Sequence, residues 1–201
     1  MIALNRRRVM KMESGGFPSG YTRLSYVSTQ GAAYFSTGIS VTGDMTFDVN
    51  FYLYSACTSS NFTLFGGGQN PSQTRNSVGL ISRAANDIQY IYKIGSWGTT
   101  LVIETWYNVE MKDDGFYING NLGKSITRTS FTGTDKFYIG TNSFRLAYGA
   151  FMYIGECKVN NYVYIPAIKN EDNTVGFLCM NDNTFHTSAS GTPFLAGSIY
   201  V

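Results

Sequence analysis

The stretch that most constrains the fold runs from Trp106 to Asn121 and reads W-Y-N-V-E-M-K-D-D-G-F-Y-I-N-G-N. Its Asp114-Gly115 dipeptide indicates a two-residue hairpin loop, because such a loop needs positive φ and glycine supplies it without steric cost. A loop centred there pairs Met111 with Ile118. One face of both predicted strands is then apolar and is made of Tyr107, Val109, Met111, Phe116 and Ile118. The other face is polar, so the stretch predicts a half-buried antiparallel pair.

The rest of the chain repeats this kind of pattern. Residues Met45 to Tyr54 alternate apolar and polar side chains, with Asp48 and Asn50 on the polar side, and no segment shows helical periodicity of useful length. The 201 residues are 43% hydrophobic and 15% aromatic but only 14% charged. Short apolar runs separated by Gly, Ser, Thr and Asn are typical of many strands joined by tight turns. We therefore expect an all-β sandwich of about a dozen strands.

The basic residues are concentrated at the N-terminus. Arg6, Arg7, Arg8 and Lys11 supply four of the fifteen cations, so eleven cations face thirteen acids in the rest of the chain, a charge of −2. We divide the chain into an extended basic arm, residues 1–18, and a sandwich domain, residues 19–201. The arm is either a disordered start or a peptide that orders on a partner. The predicted docking residues are Ile2, Leu4, Arg6, Arg7, Arg8, Val9 and Met10.

Motifs for catalysis and metal binding are missing from the sequence. The three cysteines, Cys57, Cys157 and Cys179, have no C-x-x-C spacing, and the single histidine, His186, has no second histidine to work with. The acids do not follow the alternating pattern of glycosidases, and the glutamates are interpreted as solvated or edge residues. We expect no enzyme activity, no cofactor and no metal. A neutral body also argues against nucleic acid, and no signal peptide or membrane-spanning run is present.

Three segments resemble one family. The run G-Y-T-R-L-S-Y-V-S-T-Q-G-A-A-Y-F-S-T-G-I, the central W-Y-N-V-E-M-K-D-D-G-F-Y-I-N-G, and a closing segment from Tyr164 to Phe194 occur in the order typical of concanavalin A-like, laminin-G-like jelly-roll domains. Such domains are common in phage structural proteins and gut-bacterial surface proteins. The resemblance implies two packed antiparallel sheets, with partners or sugars bound on one face and its rim loops. It does not transfer a function.

With the arm and the absence of a catalytic set, the resemblance predicts a non-enzymatic phage virion structural protein. It would be a head fibre, capsid decoration or tail-associated subunit, made in the host cytoplasm without a signal peptide and docked on other virion proteins through its arm. We expect a homo-oligomer that is not inserted in a membrane. The alternative is a lectin-like module that binds glycans in host or bacterial surface adhesion. Candidate contacts to a glycan or protein are Trp97, in a predicted turn, Tyr117 and Asn119.

Overall fold

The computed structural model describes residues 16–53, 63–68, 76–84, 87–93, 95–141 and 151–200. Within these ranges every regular element is a β-strand. The strands are β1 Tyr21–Arg23, β2 Val27–Ser28, β3 Phe35–Thr42, β4 Phe47–Leu53, β5 Thr63–Gly67, β6 Ser77–Ala84, β7 Asp87–Lys93, β8 Gly95–Thr100, β9 Thr105–Lys112, β10 Gly115–Ile118, β11 Asn121–Ser125, β12 Thr132–Ile139, β13 Met152–Val159, β14 Tyr162–Lys169, β15 Thr174–Cys179, β16 Phe185–His186 and β17 Leu195–Ala196.

The strands form two antiparallel sheets. The eleven-stranded sheet has the order β11-β10-β9-β4-β13-β14-β15-β16, with β1 beside β14, β2 beside β13 and β17 beside β2. The six-stranded sheet has the order β3-β12-β5-β6-β7-β8. The predicted all-β sandwich of two antiparallel sheets is confirmed, and the fold is consistent with a jelly roll. None of the described segments is a helix long and apolar enough to cross a membrane.

Aromatic side chains from both sheets fill the core between them. Phe47 on β4 lies with its ring centroid 5.4 Å from that of Phe65 on β5 and 5.5 Å from that of Phe137 on β12. Alternate residues of β4 are buried because strand side chains point to opposite faces. The opposite face of β4 and of its neighbours is therefore free to carry polar and aromatic groups.

The central hairpin has the predicted faces but a different register. Phe116 pairs with Met111 and Ile118 pairs with Val109, so the loop is Asp113-Asp114 and the predicted pairing of Met111 with Ile118 is wrong. Gly115 does not have a positive φ. It is required because a Cβ there would overlap the carbonyl oxygen of Lys124 and the side chain of Leu122, where β10 and β11 pair irregularly. Gly115 is therefore needed for the close packing of β10 against β11 and not for the turn.

The positive φ values occur one turn later. Asn119 has φ 50° and Gly120 has φ 79°, and they join Ile118 to its partner Asn121. Two positive φ values in a two-residue loop are typical of a type I′ turn. The predicted turn at Trp97 is also wrong: this residue lies within strand β8 and pairs with Tyr90. The end of β7 carries the positive φ instead, at Lys93.

Candidate functional site

Strand register gathers aromatic, amide and acidic side chains on the outer face of the eleven-stranded sheet. We call the outward side of β10, β9, β4 and β13 the exposed face. Trp106 on β9 pairs with Tyr52 on β4, and Tyr52 pairs with Tyr153 on β13. Two residues further along these strands, or about 7 Å away, Asn108 pairs with Asn50. The exposed face is thus organised in rows that run across the strands.

The aromatic cluster consists of Tyr26, Tyr52, Trp106 and Tyr153, all partly exposed. Ring centroids are separated by 5.7 Å between Trp106 and Tyr52 and by 5.4 Å between Tyr52 and Tyr153, the latter pair nearly parallel at 18°. Tyr26 contacts both ends of this row of rings. Its ring centroid lies 4.6 Å from that of Tyr153 and 5.9 Å from that of Trp106. The neighbouring rings are inclined to one another by 18° to 61°. Because they are in contact, they form a continuous apolar surface, which we call the platform, and not a cage around an ion.

The C-terminal segment holds Tyr26 in this platform. Gly197 donates a backbone hydrogen bond to the Tyr26 carbonyl at 3.0 Å. A Cβ at Gly197 would overlap the Tyr26 ring, so only glycine lets the segment lie this close. The segment around Gly197 therefore packs against Tyr26 at the edge of the aromatic cluster.

Asn108 is the centre of the polar row beside the platform. Its side-chain amide donates to the Asp48 carboxylate and, at 3.2 Å, to the Asn50 side-chain oxygen. The Asn50 amide in turn donates to the backbone carbonyl of Glu156 at 3.1 Å. Both N–H hydrogens of the Asn108 side chain are therefore donated to neighbours. The side-chain oxygen of Asn108 makes no hydrogen bond to any residue that the structure describes.

A β-bulge brings an acid to the same face. Cys157 pairs with Val49 and Ile154 with Phe51, so Gly155 and Glu156 both lie opposite a single residue of β4. The bulge re-aims Glu156, whose carboxylate is 3.0 Å from the Arg23 guanidinium. The interpretation of Glu156 as a solvated or edge residue is wrong, because it is half-buried on a central strand.

Tyr200 completes the surroundings of this ion pair. The Arg23 guanidinium carbon lies 3.9 Å from the centroid of the Tyr200 ring. Burial raises the pKa of Glu156, and the charge of Arg23 acts in the opposite direction. The positive charge of Arg23 thus faces both the Glu156 carboxylate and the ring of Tyr200.

Asp48 has a different electrostatic environment. Burial is the main cause that raises its pKa from 3.8 to about 6, and the negative charges of Glu110 and Glu156 add to it. The hydrogen bond from Asn108 and the positive charge of Lys112 act in the opposite direction. Glu110 itself is 3.0 Å from the Lys112 ammonium group. Glu110 and Glu156 thus each pair with a cation, whereas the side-chain hydrogen-bond partner of Asp48 is an uncharged amide.

Cys157 and His186 both lie in surroundings that make them poorly suited to covalent catalysis. Cys157 is fully buried, and burial raises the pKa of its thiol well above the usual value, so it is a poor nucleophile. His186 packs against the rings of Phe35 and Tyr164 at 5.2 and 5.4 Å, and burial lowers its pKa. No group of three or more His, Cys, Asp or Glu residues able to hold a metal ion occurs in the described ranges.

An open depression lies at another part of the sandwich. This open depression of about 460 Å³ lies where the start of β15 meets the loop before β17. Threonine and serine hydroxyls, Asp172 and the apolar Val175 line it. Asp172 accepts a hydrogen bond from the Thr174 backbone at 3.0 Å, which occupies one of its oxygens in shaping the turn. Its one aromatic lining residue, Phe194, is only 2% exposed, so the depression offers a ligand no aromatic platform.

The structure separates the three predicted contact residues. Trp97 belongs to the six-stranded sheet and packs partly buried on the core, 6.4 Å from the Phe116 ring. Tyr117 lies on the exposed face, pairs with Glu110, and donates from its hydroxyl to Asp114 at 2.7 Å. The Asn119 side chain accepts a hydrogen bond from the Asn108 backbone at 2.9 Å and so helps to fix the turn. Ligand contact by these three residues stays a prediction.

Sequence reasoning missed the aromatic cluster and its polar neighbours. The alternation of β4 and β9 identified their polar faces, but only long-range pairing brings Tyr52, Trp106 and Tyr153 together. The sequence did contain one signal for this site. Trp106 and Asn108 are two residues apart in an alternating strand, so their side chains lie on the same face. The predicted arm residues, from Ile2 to Met10, lie outside the described residues.

Comparisons with known proteins support the fold. No protein-family model matches the chain, and no curated protein matches it. A crystal structure of a "putative carbohydrate binding protein" from Bacteroides ovatus ATCC 8483 is similar, with a TM-score of 0.56 and 11% identity over 89% of this chain. A mutant of Trypanosoma rangeli sialidase displaying trans-sialidase activity matches 57% of this chain at 16% identity. Its TM-score of 0.43 is too low to indicate a shared fold. The chain spans 61% and 20% of the lengths of these two proteins. At such identities, the likeness to the first protein establishes a shared sandwich fold alone.

Proposed function

We propose that this protein is a non-catalytic, lectin-like module that binds a glycan on the exposed face of its eleven-stranded sheet. The observation that carries the proposal is the aromatic cluster of Tyr26, Tyr52, Trp106 and Tyr153 beside the polar row of Asn50 and Asn108. A sugar ring has apolar C–H faces and a rim of hydroxyls. An apolar platform bordered by amides and carboxylates matches both features.

Three properties of the face support this use. The platform rings are held by one another and by strand pairing, so binding orders few new side chains. The polar groups beside them are fixed by hydrogen bonds before a ligand arrives. The face belongs to central strands and not to a mobile tip, which keeps the spacing between aromatic and polar groups constant.

A glycan array followed by calorimetric titration of the best-binding glycan tests this proposal. Trp106→Ala removes one side of the platform and should weaken binding at least about tenfold. Tyr162→Ala, which removes an aromatic ring that is 41% exposed at the start of β14, is the matched control and should bind normally. Absence of binding to every printed glycan, or equal affinity of both variants, would contradict the proposal.

The virion role predicted from the sequence is a separate proposal that is compatible with sugar binding. It rests on the family resemblance and on the basic arm. Protein lacking residues 1–16 should fail to enter phage particles if the arm docks it. Incorporation at full occupancy would contradict arm docking without bearing on the sugar site.

A further inference from the structure

We infer that the ligand of the exposed face is a linear chain of about three to four sugar units, and that Tyr117 contacts the end of this chain that lies beyond the platform. The inference rests on the proposed function, because it concerns the ligand of the same face. It excludes recognition of a single terminal sugar. It also assigns to Tyr117 a contact that only the longer chains reach.

Two apolar areas of the exposed face are separated along its strands. Trp106 belongs to the platform, and Glu110, four residues further along β9, pairs with Tyr117 on β10. Tyr117 pairs in turn with Leu122 on β11, which is 52% exposed. Because paired residues point to the same side of a sheet and a strand advances about 3.4 Å per residue, this second apolar area lies about 14 Å along the face from the platform.

One sugar ring cannot contact both apolar areas. Within the platform, neighbouring ring centroids are 4.6 to 5.9 Å apart, and a pyranose ring is similar in size to a tyrosine ring. The span of about 14 Å is more than twice this spacing, so a chain of roughly three to four sugar units is needed to cover it. A shorter ligand that stacks on the platform does not reach Tyr117.

Polar groups between the two areas can bind the hydroxyls of the intermediate sugar units. Asn108 lies two residues from Trp106 along β9, and its side-chain oxygen is an acceptor without a hydrogen bond to the described residues. The neighbouring Asn50 amide donates one hydrogen to the Glu156 carbonyl at 3.1 Å and has a second hydrogen to donate. A sugar hydroxyl both donates and accepts, so this pair of amides suits it. The path from the platform to Tyr117 therefore offers hydrogen bonds along its length.

Tyr117 is held in place before a ligand arrives. Its hydroxyl donates to the Asp114 carboxylate at 2.7 Å, and the Lys112 ammonium group lies 4.5 Å from the centroid of its ring. Lys112 is itself fixed by Glu110 at 3.0 Å. The ring remains partly exposed. Binding of a sugar there therefore requires little new ordering of the side chain.

A length series of one glycan tests the inference. The linear glycan that binds best on the array is prepared as fragments of one to six units, and each fragment is titrated by calorimetry. The affinity should rise about tenfold or more between two and four units and then stay constant. In Tyr117→Ala the affinity for the four-unit fragment should fall about five- to tenfold, because one stacking contact is lost, while the affinity for the two-unit fragment should not change. Tyr117→Thr, which removes the ring but keeps a residue that favours strands, should behave in the same way.

The controls separate this inference from the proposed function. Trp106→Ala should weaken the binding of every fragment, and Tyr162→Ala, which removes an exposed ring on β14, should weaken none. Equal affinity for all lengths, a length dependence that survives in both Tyr117 variants, or an array on which only single terminal sugars bind overturns the inference. If such binding is lost in Trp106→Ala, the proposed site survives. If no glycan binds, the proposed function fails and the inference fails with it.

Discussion

The side-chain amide of Asn108 donates a hydrogen bond to the carboxylate of Asp48, one strand away on the exposed face. This contact orients both groups, but burial, with a smaller contribution from the charges of Glu110 and Glu156, still raises the pKa of Asp48 to about 6. A charged group whose folded-state pKa lies above its unfolded value of 3.8 lowers stability at high pH. The exposed face therefore carries a measurable energetic cost at neutral pH.

Replacing Asp48 by Asn should stabilise the protein at pH 7.5 by about 1–2 kcal/mol, since each unit of pKa difference corresponds to about 1.4 kcal/mol. Between pH 6 and pH 4 the wild-type folded state takes up a proton that the unfolded state does not, so its stability rises and the gain from the substitution disappears. Urea unfolding at pH 7.5 and pH 4 measures both values. An equal effect of the substitution at both pH values would show that folding does not change the ionisation of Asp48, and would contradict its raised pKa.

His186 should make an opposite contribution to the pH dependence. Burial lowers its folded-state pKa below 6.5, so below that pH the unfolded state binds the proton more readily and stability is lost as the pH falls. His186→Phe should reduce the loss of stability between pH 7.5 and pH 5. The comparison uses the change with pH in each protein, so a uniform packing effect cancels. An unchanged pH dependence would contradict this role.

Arg128 connects two turns of the sandwich through carbonyl oxygens. Its guanidinium donates to Gly43 at 3.0 Å, to Met45 at 2.9 Å and to Lys112 at 2.7 Å. Arg128→Met should lower the free energy of unfolding by about 2–4 kcal/mol, because these acceptors lose a charged donor. Arg128→Lys should recover only part of the loss, since an ammonium group lacks the planar fork. Full stability in the Met variant would contradict the assignment.

Gly115→Ala should destabilise the central hairpin by about 1–3 kcal/mol, because the new Cβ would overlap backbone atoms of β11. The matched control is Gly16→Ala, where no atom lies within 4 Å of the added carbon. Thermal unfolding of both variants measures the difference. If both variants were equally stable, β11 would not pack against Gly115 as described.

The central hairpin shows which parts of the fold could be predicted from sequence. Which face of β9 or β10 a side chain lies on depends only on its place in the alternating pattern. The apolar face was therefore predicted correctly, and Val109 and Phe116 on it are buried. The register depends on which two residues turn the chain, and these are Asp113 and Asp114, with no glycine between the paired strands. A Gly needed for close packing, Gly115, cannot be distinguished by its letter from one needed for positive φ, Gly120. The loop was therefore placed one residue too late.

The candidate site was less predictable for a related reason. Trp106 and Tyr52 are separated by more than fifty residues in the chain, and nothing local to either residue encodes their pairing across β4 and β9. Glu156 reaches the exposed face through a bulge, which interrupts the alternation that sequence reading relies on. Trp97 was predicted as a candidate contact in a turn. Its packing on Phe116 depends on the approach of the two sheets.

The chain has two tryptophans, which allows a direct test of the proposed site. In a ¹⁵N-labelled sample each indole N–H gives one resonance, and Trp106→Phe assigns them. On titration with the glycan that binds best on the array, we predict that the Trp106 resonance shifts and saturates while the Trp97 resonance stays in place. A saturable shift of Trp97 with an unmoved Trp106 would contradict binding at the exposed face.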